Sequence, residues 1–259
     1  MIVLSRVAAD APLVVGANRD ERLERPAVPM AVLRGAGPRI LGGRDEEAGG
    51  TWLAVNEHGV FAGLTNRPLP EGRDPAKRSR GALPLLLTGA RTAAEAVADA
   101  ERTVDPSAYN PAWLLVGDRD DLYALDLSRG PHLHVTPLQP GVHVLENQAI
   151  DEPSDKAAHV RALLGADLES LAAADRRRRI RTVLADHVPA VSEENGSVRP
   201  AFTTAACVHA DHYGTRWSGL VEVPSERDAP PFFAFADGPP CRSPWGDAAA
   251  LWRAEGASG

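Results

Sequence analysis

The chain has 259 residues, 44% hydrophobic and 24% charged, with a formal charge of −7. It is long enough to bury most of the surface its unfolded form exposes, and its acidic balance excludes a general nucleic-acid binder, which needs a basic surface for phosphate. Two cysteines, Cys207 and Cys241, exclude a disulfide-rich secreted scaffold. With no basic segment leading into an apolar one at the start, and no run of the roughly 20 apolar residues of a membrane span, a cytoplasmic protein is expected.

Residues 2–7 and 13–17 read as two short strands joined by the hairpin-length connection Ala8-Ala9-Asp10-Ala11-Pro12. The second strand leads into Asn18-Arg19-Asp20-Glu21-Arg22-Leu23-Glu24-Arg25, so an amide and opposite-charge pairs lie where it leaves the core. Taken alone, this is a solvated turn whose surface ion pairs contribute about 0–1 kcal/mol each. From Pro26 to Ile40, prolines and glycines predict a loop with one short strand at 30–33. The pairs Gly42-Gly43 and Gly49-Gly50 bracket a charged turn before a strand at 51–55, and glycine there serves a close approach or a turn equally well. Asn56-Glu57-His58-Gly59 is a tight turn, and 60–66 returns as the partner strand, delivering Asn66-Arg67-Pro68 to its end.

A polar linker over 69–78 precedes Ser79-Arg80-Gly81 and a helix over 82–90, with Pro84 confined to its first turn. Thr92-Ala93-Ala94-Glu95 is a capping-box pattern that starts a second helix reaching about Val104. Residues 113–116 with 122–127, and 132–137 with 142–147, predict two more hairpins, the second placing Asn147 at a strand end as Asn66 is placed. Residues 154–164 and 168–187 have helical composition. The run Arg176-Arg177-Arg178-Arg179-Ile180-Arg181 reads as a solvated helix face, because the aromatic interleaving of a nucleic-acid surface is missing. Strands at 202–209, 215–223 and 230–235 follow. Strands, helices, strands, helices, strands predict an α+β fold of antiparallel sheets covered by segregated helices, in a single domain over residues 1–259.

Six segments, in order, carry a resemblance: Ala17-Asn18-Arg19-Asp20-Glu21, Gly42-Gly43-Arg44-Asp45, Ala48-Gly49-Gly50-Thr51-Trp52-Leu53, Thr65-Asn66-Arg67-Pro68, Ser79-Arg80-Gly81 and Tyr213-Gly214-Thr215-Arg216. Together they resemble the NRDE family, also called the transport and Golgi organisation family. The resemblance implies a four-layer αββα sandwich like that of N-terminal nucleophile hydrolases. The hairpin at 55–66 is similar to one in the bile-salt hydrolase and penicillin V acylase group, where an N-terminal Cys attacks an amide carbonyl with its own α-amino group as base. Position by position, the resemblance implies that Arg19 and Asp20 steady the nucleophile, Asn66 and Asn147 donate to the oxyanion, and Arg216 completes the site. Asn18, Glu21, Arg44, Trp52 and Arg67 would contact substrate. A paired guanidinium and carboxylate hold a fixed orientation, and an amide N–H can stabilise an oxyanion. Arg19 with Asp20 would serve equally as a structural ion pair, and the asparagines as strand-terminating turns.

Members of the usual kind open with Met-Cys, and removing the methionine exposes the Cys. Here Met1 precedes Ile2-Val3-Leu4 and takes the place of the Cys; a thioether has no proton to lose, and a methionine before a large residue stays. Ser5 lies within the first strand, Thr51 is a hydroxyl that needs a base, and Cys207 reads as a small buried apolar residue. One reading is a non-catalytic relative whose cleft binds a small amphipathic molecule. The alternative is an active hydrolase of linear amides, working through a Cys upstream of Met1 or through Thr51. The family's link to haem trafficking adds a third reading, with Met1, His58 or His209 as iron ligand. Cys207-Val208-His209-Ala210-Asp211-His212 puts Cys207 and His209 on one strand face with His212 past the turn. That spacing matches no usual zinc pattern, so neither a metal site nor a cofactor is expected.

Overall fold

The computed structural model describes residues 1–189 and 204–253. In chain order its strands are β1 (Ile2–Ser5), β2 (Leu13–Arg22), β3 (Ala27–Arg34), β4 (Ile40–Asp45), β5 (Leu53–Asn56), β6 (Phe61–Asn66), β7 (Ala112–Gly117), β8 (Leu122–Asp126), β9 (His134–Pro137), β10 (Gly141–Val144), β11 (Tyr213–Val223), β12 (Phe232–Asp237) and β13 (Trp245–Asp247). The helices are α1 (Ala82–Leu87), α2 (Ala93–Thr103), α3 (Asp155–Leu164), α4 (Ala173–Leu184) and α5 (Ala249–Arg253). One antiparallel sheet has the order β10-β1-β2-β11-β12-β13 and the other runs β3 to β9 in sequence.

The alternation of β2 explains the layering. Leu13, Val15 and Ala17 face the second sheet and pack with Leu41, Leu53, Val55, Phe61 and Leu115. Val14, with Ile2, Leu4 and Leu220, packs instead on Val160, Ile180, Val183 and Leu184 of α3 and α4. On the far side, Val60, Ala62, Leu114 and Val116 meet Leu83, Leu87, Ala96 and Val97 of α1 and α2. Three apolar layers thus separate helix, sheet, sheet and helix, the αββα sandwich. Each fully buried Val or Leu contributes about 1.5–3 kcal/mol. The cap of α2 forms as read: Thr92 Oγ1 accepts from Glu95 N at 3.1 Å.

Several expectations are corrected. Because β11 pairs along all of β2, from Tyr213 opposite Arg22 to Val223 opposite Leu13, the charged motif is strand and not turn. Residues 27–34 also form a strand; its pairing with β4 is interrupted between Val28 and Ala31, around Pro29, which offers no N–H. The segments at 132–137 and 142–147 do not form a hairpin: Val135 pairs with Leu125 on β8, while His143 pairs with Val3 on β1. The chain crosses between sheets there, and Asn147 lies beyond the end of β10. Of the strand expected over 202–209, Phe202 and Thr203 lie outside the described residues, and the rest contributes only a bridge between His209 and Gly214. Arg176 is not solvated: it is fully buried, donating to Glu222 at 3.1 Å and bidentately to Asp10 at 3.0 and 2.9 Å. β13 and α5 carried no signal in the sequence reading.

Candidate active-site cleft

A cleft of about 870 Å³ opens where the start of β1 and the ends of β2, β4, β6 and β10 converge. Met1 lies in it. Its α-amino group donates to Leu145 O at 2.7 Å, and Leu145 N donates back to Met1 O at 2.8 Å, anchoring the terminus to the segment after β10. Burial, then the positive charge of Lys156, pushes this amine from 8.0 down to about 6, against the smaller pull of Glu146 and Asp20. At neutral pH the amine is therefore mostly uncharged. The thioether lies over β6 at Gly63, where an added Cβ would come within 2.4 Å of Met1 Cε.

Arg19 shares the inter-sheet face of β2 with Leu13, Val15 and Ala17. It pairs with Asp45 at 3.1 Å and with Glu21 at 3.7 Å, and lies 4.4 Å over the Trp52 ring. Arg25 grips the same Asp45 bidentately, Nε at 2.8 Å and Nη2 at 3.2 Å, and Asp45 Oδ1 also accepts from the backbone of Glu47 and Ala48. Burial works to raise the Asp45 carboxyl, but the Arg25 bonds, the Ala48 N–H and the two guanidinium charges outweigh it, so the carboxyl stays below its usual range. The resemblance paired Arg19 with Asp20; the structure pairs Arg19 with Asp45 because alternation turns Asp20 to the other face. There Asp20 accepts from Thr215 Oγ1 at 2.5 Å. On that same face Asn18 donates to Leu184 O at 2.9 Å and Ala206 O at 2.7 Å, and accepts from Ser218 at 2.6 Å.

Asn66 and Asn147 both line the cleft, and Asn147 Nδ2 donates to Asn66 O at 2.7 Å. The Asn66 side chain has no hydrogen-bond partner among the described residues. Glu21, Trp52 and Thr51 line the cleft as well. The Thr51 hydroxyl is committed locally, donating to Leu53 O at 2.8 Å and accepting from Leu53 N at 3.3 Å. Three expected positions fall outside. Arg216 sits in a register shift of β11 between Thr215 and Trp217, and donates to the carbonyls of Arg22, Leu23 and Arg25, tying that turn. Arg44 is exposed on β4, and Arg67 donates to Ser128 Oγ at 2.6 Å beside Trp113. Ser5 ends β1 away from Met1, and neither His58 nor His209 lines the cleft.

Sequence reasoning assigned no site role to the basic wall of Arg73, Lys77, Arg78 and Arg80, of which only Arg80 lay in a motif, nor to Lys156 from α3. Burial, then the charges of Arg73 and Arg25, lowers the Arg80 pKa, and Arg80 donates to Pro111 O at 3.1 Å. The Ser79-Arg80-Gly81 segment is held by a glycine contact: Thr51 N donates to Gly81 O at 3.0 Å, and a Cβ on Gly50 would lie 2.4 Å from the Gly81 carbonyl carbon. Only two bare backbones approach so closely.

The sandwich and the terminal amine in its cleft define a protein with the N-terminal nucleophile hydrolase fold. Solved structures agree. An N-acylethanolamine-hydrolyzing acid amidase ortholog of Caenorhabditis elegans superposes with a TM-score of 0.54 at 14% identity, covering 88% of this chain and 94% of that one. A variant of the conjugated bile acid hydrolase of Clostridium perfringens gives 0.55 at 12% identity, covering 100% and 94%. The sequence model of the Transport and Golgi organisation 2 family matches residues 1–229, and the chain belongs to that family. The human Transport and Golgi organization protein 2 homolog is 28% identical over 235 residues, and the Bos taurus homolog 28% over 233, each alignment covering 83% of both chains. No helix among the described residues is long and apolar enough to cross a membrane.

Proposed function

We propose that this protein binds a small amphipathic molecule in the cleft without cleaving it, in one domain and in the cytoplasm. The observation that carries the reading is that the Met1 thioether lies in the cleft; a thioether has no proton to lose, and acyl transfer requires an ionisable nucleophile. Thr51 is no substitute, because its proton is already donated to Leu53 O. An amphipathic ligand suits a lining in which Met1, Trp52, Leu53, Leu64 and Leu145 are apolar and Arg80 and Lys156 supply positive charge.

The alternative, an active hydrolase of linear amides, is favoured by one feature. An α-amine lowered to about 6 is in the free-base form that an N-terminal nucleophile would need from its general base. The haem reading finds little support in the lining: Met1 is there, and no histidine among the described residues joins it.

Two measurements decide. Intact mass and N-terminal sequencing of the cell-made protein should begin at Met1, with saturable binding of a long-chain N-acyl amide and no turnover. A Cys N-terminal to Ile2, or turnover by protein that begins at Met1, would overturn the reading. Inserting Cys between Met1 and Ile2 supplies the missing thiol beside the amine, and hydrolysis appearing in that variant alone would support a cleft that lacks only its nucleophile.

A further inference from the structure

Away from the cleft, four metal-type donors converge from three separate stretches of chain. His187 follows α4, Cys207 and His209 precede β11, and Cys241 lies between β12 and β13, with one ligand atom of each within 4.8 Å of all the others. Cys207 Sγ is 3.9 Å from Cys241 Sγ and 3.7 Å from His209 Nε2, and His209 Nε2 is 3.4 Å from Cys241 Sγ. Tetrahedral zinc, with Zn–S about 2.3 Å and Zn–N about 2.0–2.1 Å, separates its ligand atoms by about 3.8 Å for two sulfurs and about 3.6 Å for sulfur and nitrogen. The three distances fall within a few tenths of an ångström of those spacings. A disulfide would need the sulfurs at about 2.05 Å.

We propose that His187, Cys207, His209 and Cys241 form a structural Cys2His2 site for a divalent zinc-class cation. The donor set suits that choice, since two thiolates and two imidazoles in tetrahedral array select zinc over hard oxygen-seeking ions. Binding releases the thiol protons of Cys207 and Cys241 to solvent and involves no redox step. His209 binds through Nε2 and keeps its proton on Nδ1. The exposed Arg242, now 3.0 Å from Nδ1, therefore turns outward. By sequence spacing, Cys207 and His209 group with His212 and no metal site is expected; in the structure His212 does not join the group, and His187 and Cys241 come from 20 residues before and 34 residues after Cys207. The ion would tie together the end of α4, the segment before β11 and the loop after β12. Two of these present Leu184 O and Ala206 O to Asn18, so the site braces one wall of the cleft.

The test uses the full chain, purified in a non-thiol reductant without chelator. Elemental analysis should find one zinc per chain. After chelator stripping, cobalt(II) should titrate to one equivalent, with the visible bands of a tetrahedral ion and the near-ultraviolet bands of cobalt–thiolate bonds. Cys241→Ala and His209→Ala, both at exposed positions, should lose this stoichiometric binding while far-ultraviolet circular dichroism stays unchanged; buried Cys207 is left intact. No saturable binding to the reduced protein, an octahedral cobalt spectrum, binding that survives Cys241→Ala, a Cys207–Cys241 disulfide that persists in reductant, or an iron–sulfur absorption as purified would each overturn the proposal.

Discussion

The buried amine of Met1 makes stability depend on pH in a direction that can be worked out beforehand. Its fall from 8.0 to about 6 corresponds to about 2–3 kcal/mol, at about 1.4 kcal/mol per pH unit. Above pH 8 the amine is neutral in both states and costs nothing. Between 8 and 6 the unfolded chain takes up a proton that the folded chain refuses, so stability falls as pH falls. Below 6 both states are protonated and the loss is complete. His143 opposes this trend: burial lowers its pKa, but the Asp151 carboxylate and the Gln139 carbonyl outweigh burial and raise it. Its contribution is full below pH 6.5 and fades as pH rises through the raised value. The urea midpoint should therefore be followed in a His143→Gln background. Competitive acylation of the α-amine across pH, quantified on the N-terminal peptide, reads its pKa directly. Lys156→Met removes the second-largest cause and should move the amine back toward 8. An amine that titrates near 8 in the folded protein, or a midpoint flat from pH 8 to 6, would refute the argument.

Three substitutions test other parts of the frame. Gly50→Ala sets a methyl 2.4 Å from the Gly81 backbone, which has no side chain to yield; it should cost about 1–3 kcal/mol in urea unfolding and weaken amphipath binding by displacing the Arg80 wall. Arg176→Met strips a fully buried guanidinium from Glu222 and Asp10. Breaking a buried pair costs about 3–5 kcal/mol, and the lower end is expected because Arg177 still holds Glu222 and Asp10 is half in solvent. Arg216→Ala should lower stability by about 1.5–3 kcal/mol through the carbonyls it releases while leaving cleft affinity unchanged. A selective loss of binding would return Arg216 to the cleft.

The strands were legible because their apolar runs are local, as in Leu13, Val14 and Val15, where a continuous run marks a strand buried on both faces, and so was the Thr92 cap. Arg176 was misread although its signal was present: it shares a helical face with Ile180, Val183 and Leu184, and that periodicity outranks the charge of its neighbours. The crossing between β9 and β10 was not legible, since Leu138-Gln139-Pro140 would serve a hairpin or a crossover equally well. Nor was the Arg19, Asp45 and Arg25 cluster, which joins strands of different sheets. Asp45 was among the quoted segments, but nothing local in it says that two arginines will meet there.

The Asn-Arg-Asp-Glu stretch holds both sides of its strand at once, so its structural contribution does not depend on a nucleophile. By the period of two along β2, Arg19 and Glu21 face the second sheet and engage Asp45 and Arg25, while Asn18 and Asp20 face outward and engage Leu184, Ala206, Ser218 and Thr215. Every one of these side chains has a structural partner within the chain, so each contributes to stability independently of any reaction. If that is their main work, Asn18→Ala should destabilise the fold by at least about 1–3 kcal/mol, because it leaves the Ser218 hydroxyl and the Leu184 and Ala206 carbonyls without their partner. The same substitution should do so equally in the Cys-inserted variant. A variant that loses only ligand affinity, with its urea midpoint intact, would instead assign the motif, which lines the cleft, to ligand binding.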